Sequence, residues 1–158
     1  MAAYDLDNLL TDIGSVITDN LNTKIAEINT EKGDSLLTTV DSDAVYKQTL
    51  RLQTVAYSPY IFYGITSIEN ISTNGPMSAM NVLVDIGIVL RDEAADTQII
   101  SKMFRYHRAL KEIFEDDWIL AENSIKMSVS NLAPVEFTRL GDETNHRVIG
   151  IQINATIP

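Results

Sequence analysis

The two histidines, His107 and His146, are the side chains whose type best suits acid–base chemistry near neutral pH. Neither has the company that such chemistry needs. His107 falls on the apolar stripe of a predicted helix, where a boundary imidazole with one hydrogen-bond partner is the expected state. No His-x-x-x-His or Glu-x-x-His spacing surrounds either histidine, and the chain has no cysteine, so thiolate ligands and thiol nucleophiles are absent from it. Asp85 interrupts an apolar run as a lone carboxylate, with Lys126 and Gln152 on neighbouring predicted strands. Asp41-Ser42-Asp43 lacks the remainder of a calcium loop and suits a turn. The glycines at 14, 33, 64, 75, 87, 141 and 150 never cluster into a phosphate cradle, and no Gly-x-Ser-x-Gly elbow occurs. The residues therefore predict no catalytic centre, no cofactor and no metal site.

Two other groups suit contact between protein surfaces. Lys102, Arg105, Arg108 and Lys111 recur at three-residue steps and hold four of the twelve basic residues of a chain with 22 acidic ones. Either they form a solvated face, or they dock an acidic surface on an identical neighbour, head to tail, as in a closed ring. Glu112, Glu115, Asp116 and Asp117 crowd the end of the same helix against its dipole, a cost that the basic face of a second copy could offset. The second group is a hairpin tip, where Ile71, Asn74, Met77 and Met80 combine apolar and adaptable side chains that could reach another subunit.

The elements that would position these groups follow from periodicity. Leu6, Leu9, Leu10, Ile13, Val16, Ile17, Leu21, Ile25 and Ile28 repeat at helical spacing, predicting a helix over about 5–32, capped by Asp5 or Asp7 and ended near Gly33. Leu36 to Val40 is predicted as a short strand, and 44–56 fits neither period. Aromatic and β-branched residues from Tyr60 start a hairpin over about 60–91, with Asn74-Gly75-Pro76 at its turn. A second helix over about 96–117 places Ile99, Ile100, Met103, Phe104, Tyr106, His107, Leu110, Ile113 and Phe114 on one face. A three-strand meander over about 124–157 closes the chain. In its last strand, Ile149, Ile151, Ile153, Ala155 and Ile157 alternate with Gly150, Gln152, Asn154 and Thr156. Burying the isoleucines there is worth roughly 1.5 to 3 kcal/mol each before entropy is subtracted.

These elements predict one domain over 1–158 of the α+β class: two layers, with a mostly antiparallel sheet and both amphipathic helices packed on one of its faces. The other face would carry Asp85, Gly87, Lys126, Ser128, Ser130, Gly150, Gln152, Asn154 and Thr156, and so be polar and small. A formal net charge of −10 argues against a primary nucleic-acid binder, and no secretion signal or membrane span is evident.

In element order, with the closing strand Arg147-Val148-Ile149-Gly150-Ile151-Gln152-Ile153, the chain resembles the tail-terminator and tail-completion (neck) proteins of tailed bacteriophages. The resemblance implies a structural virion protein, assembled in the host cytoplasm, whose copies form a hexameric ring at the head–tail joint. That ring would cap the tail tube protein and meet the head connector and other neck proteins, with DNA touching it only in passage and no membrane involved. An acidic bore would let DNA slide. Another neck or head-closure protein of the same joint fits the same elements. From a different class, so does a small acidic enzyme or ligand-binding domain with Asp85, Lys126 and Gln152 on a pocket floor.

Overall fold

The computed structural model describes residues 4–47, 58–71, 79–93, 96–115, 119–120, 125–138 and 145–157. Helix α1 spans Leu6–Lys32. Asp5 caps it by accepting from the Asn8 amide at 2.9 Å, while the Asn8 side chain accepts from the Asp5 amide at 3.0 Å. At its other end Gly33 takes φ 70, a left-handed turn that lets Asp34 N–H reach the Asn29 carbonyl at 3.1 Å. Its Leu9, Ile13, Ile17, Leu21, Ile25 and Ile28 are all buried.

A single six-stranded sheet carries both helices. Its strands are β1 (Val45–Lys47), β2 (Tyr60–Ile71), β3 (Ala79–Asp92), β4 (Ile119–Leu120), β5 (Ile125–Thr138) and β6 (Asn145–Ile157), in the spatial order β1-β2-β3-β6-β5-β4. Among the described strands only β1 runs parallel to its neighbour; every other pair is antiparallel. The fold is α+β, as its periodicities predict. Val82, Val84, Ile86 and Ile88 of β3 and Ile151 and Ile153 of β6 are fully buried, on the face that also takes helix α2 (Ile99–Glu115). Tyr63 points to this same face, its phenol lying over Gly14 of α1.

Three expectations are corrected. Leu36 to Val40 is not a strand, because its backbone is satisfied by side chains instead of a ladder. Asn22 donates to the Val40 carbonyl at 2.9 Å and accepts from the Val40 amide at 2.8 Å. Asn29, two helical turns on, does the same for Leu37 at 2.8 and 3.1 Å, and the Tyr106 hydroxyl of α2 bonds both the amide and the carbonyl of Thr38, at 3.0 and 2.8 Å. The region over about 124–157 is not a three-strand meander but a two-strand hairpin. Residues 125–138 form one strand whose register shifts between Leu132 and Val135, where Pro134 offers no amide to a ladder. Lastly, Ile100 and Phe104 do not join the buried face of α2; they are 46% and 60% exposed.

Candidate subunit interface

The four cations of α2 do converge with acids, but with acids of their own chain. Arg105 makes two 2.8 Å bonds to the Asp34 carboxylate just beyond α1. Arg108 binds Glu31 of α1 through two nitrogens, at 2.9 and 2.6 Å, and Glu112 at 2.6 Å. Lys102 meets Asp96 at 2.6 Å and Lys111 meets Glu115 at 3.6 Å. Glu112 is further approached by Lys24 of α1 at 3.8 Å, so both described acids near the helix end are answered internally. Arg105 and Arg108 thus find acids at and just beyond the C-terminal end of α1, while Lys102 and Lys111 find theirs just before α2 and within it. The sequence holds a signal for it: Glu27 and Glu31 share one flank of α1 at four-residue spacing, and Asp34 follows just beyond its end.

These pairs set an acid limit. Hydrogen bonds from Arg108 hold the Glu31 carboxyl down at about 2, against an ordinary 4.5, and Arg105 and Lys102 likewise lower Asp34 and Asp96. Because the folded-state values are depressed, the stability these groups contribute is whole above the ordinary carboxylate range and is lost as pH falls toward 2. The contribution is screened, since the pairs are exposed. Melting temperature measured from pH 7 to pH 2.5 is expected to fall below about pH 4.5, less steeply in Glu31→Gln and in 1 M salt. An unchanged slope in the variant would show that Glu31 does not take part.

On the opposite flank of α2, His107 is half-buried and hydrogen-bonds Asn131 of β5; burial pushes its pKa below the ordinary imidazole value. Its partnered boundary position is the one its place on the stripe predicts. Ile100 and Phe104 precede it by seven and three residues and therefore share this β5-side flank. His146 is buried on β6. On the hairpin, Ile71 and Met80 are half-buried at the far end of the β2–β3 ladder, where Met80 faces Asn70 and Ile157. Asn74 and Met77 lie outside the described residues.

The sheet face turned away from the helices is polar only in part. Asp85 sits there as expected, accepting from Gln152 at 2.8 Å with the Thr66 hydroxyl at 3.5 Å. Lys126 pairs in register with Thr156, four residues along β6 from Gln152. Toward the Tyr60 end the same face carries Tyr60, Phe62, Val89 and Val148, all buried. The Phe62 ring lies directly over Gly87, which faces Gly150 on β6. Beside it opens a hollow of about 390 Å³ between Phe62, Leu132, Val135 and Val148, floored by Gly64 and Gly150 with Asp85 at its edge. The sequence gives Tyr60 and Phe62 a strand but no face, so it does not reveal that large apolar side chains gather here.

Among the described residues, no group of three or more His, Cys, Asp or Glu is placed to hold a metal ion, and no helix is long and apolar enough to cross a membrane. No family model matches the chain, and no curated protein matches it. Among solved structures it is similar to a chain from the virion of a native gene transfer agent (GTA) particle, at 10% identity and a TM-score of 0.36, over 89% of this chain and 97% of that one. A superposition that loose carries no inference about role.

Proposed function

We propose that this chain is a non-enzymatic structural subunit of a phage-type virion, whose copies associate laterally into a six-fold ring at the head–tail joint, as a tail terminator or completion protein does. One observation carries the reading: among the described residues, the large exposed apolar side chains sit at two unlike margins of the subunit. Ile68, 48% exposed, marks the β2 margin, while Val135, 54% exposed, lies on β5, with Ile100 and Phe104 on the flank of α2 beside that strand. Two different sticky margins on opposite sides of one sheet suit head-to-tail contacts, which close into rings when the rotation between copies allows. The acidic excess would keep passing DNA from adhering to the bore. Partners on this reading are further copies, the tail tube protein below and the connector or other neck proteins above.

Mass photometry with negative-stain imaging, alone and with assembled tail tubes, tests it. A six-fold annulus is the expected result; a monomer in both conditions would overturn the proposal. The hollow over Gly64 and Gly150 favours a second reading, a domain that binds a small apolar ligand. Saturable binding of such a ligand by a persistent monomer would establish that reading instead.

A further inference from the structure

The sheet has two margins that the described strands leave open. β1 pairs with β2 only over Ile61–Tyr63, and β4 pairs with β5 only over Ile125–Lys126. Among the described residues, Gly64–Ile71 on one side and Met127–Thr138 on the other therefore have no outer neighbour. Single-chain proteins blunt such edges with charges, prolines and bulges. Here the bulge and Pro134 close off the second half of β5, but Met127 to Val135 contains no charged residue, and Gly64 to Ile71 contains only Glu69.

The two open stretches also match. Following the ladder across the sheet, Ile68 lies in one row with Val82, Ala155 and Met127, and Ile65 in one row with Val84, Ile153 and Val129. These rows are on the helix side. Between them, Ser67 shares a row with Leu83, Asn154 and Ser128 on the other face. The apolar and polar positions of the two edges are thus in phase, and a copy moved sideways by one sheet width sets apolar beside apolar. Strand direction agrees as well. β2 runs with β6 and against β3 and β5, so the β2 of one copy meets the β5 of the next antiparallel, the more stable pairing.

We propose that the Gly64–Ile68 edge of one copy adds to the Met127–Ser130 edge of the next, the stretch that β1 and β4 leave uncovered on both, so that the sheet continues from subunit to subunit. This rests on the self-association proposed above and names its contact. The backbone ladder supplies affinity, and the alternation of side chains sets the register.

The absence of cysteine gives a clean test. Ser67→Cys protein mixed with Ser128→Cys or Ser130→Cys protein is expected to form a mixed disulfide dimer under mild oxidation of the oligomer, whereas each variant alone stays unlinked. Amides in both edges should gain exchange protection on assembly. Ile68→Lys, at a half-exposed position, should keep the melting temperature of the dilute subunit yet weaken association about a hundredfold. A variant that cross-links to itself would replace this contact with a two-fold one. Rings that form without a mixed disulfide or new protection would overturn the edge contact and leave the ring standing. Failure to assemble even with tail tubes would overturn both.

Discussion

Replacing Gly150 by alanine is expected to destabilise the fold by about 3 kcal/mol or more, and valine by more still. A Cβ at this position would run into the Ile86 carbonyl oxygen and stand 2.9 Å from the Gly87 Cα, so it meets backbone and not the flexible end of a side chain. The strands that would have to part, β3 and β6, are the two central strands of the sheet, paired without interruption from Met80↔Ile157 to Asp92↔Asn145. No rotamer change relieves such a clash. At roughly 2–4 °C per kcal/mol for a chain of this size, the melting temperature of Gly150→Ala should drop by about 6–12 °C. Gly87→Ala provides the contrast, because its Cβ would meet the far end of the Phe62 ring, which has the adjoining hollow to move into. Thermal denaturation of the two variants side by side tests the argument, and a Gly150→Ala protein as stable as Gly87→Ala would sink it.

The double variant Asn22→Ala/Asn29→Ala should release the segment after α1, at a cost of about 3–6 kcal/mol. Each asparagine pairs with both backbone groups of a buried residue, Val40 and Leu37 respectively, as a neighbouring strand would. Truncation removes four hydrogen bonds while Leu37 and Val40 remain committed to the core. The expected signs are fast amide exchange at Leu37 and Val40 and new proteolytic cleavage between Asp34 and Asp41, with α1 otherwise intact. Tyr106→Phe should add to the effect by freeing both backbone groups of Thr38. Unaltered protection of the two amides in the double variant would mean that the core contacts of Leu37 and Val40 hold the segment without the asparagines.

The segment from Leu36 to Val40 shows where sequence stops being sufficient. Its residue types resemble a strand, but the groups that satisfy it stand at positions 22, 29 and 106, and no local pattern announces a side chain acting as a strand. Residues 125–138 mislead in another way. Leu132-Ala133-Pro134 breaks the alternation, which looks like two strands, yet a bulge lets one strand pass through the break. The basic stripe of α2 is legible as a set, whereas partners of Arg105 and Arg108 lie 71 and 77 residues away, too far for any local pattern to pair them. Which strands have open edges among the described residues is not legible in sequence at all, since it is a property of the sheet order.

By itself, the chain's pattern of apolar residues determined α1, α2, the β2–β3 hairpin, the buried face of the closing strand and the α+β class. Each of these depends on residues within a few positions of one another, and the geometry of a helix or strand converts that spacing directly into a face. Only the tertiary structure decided that the cations of α2 are matched within the chain, that glycines and Phe62 shape a hollow on the far face, and that, among the described residues, much of β2 and β5 has no outer neighbour. Those outcomes depend on which distant segments pack together, and that choice is made by the summed burial and hydrogen bonding of the whole sheet, which no single stretch of sequence contains.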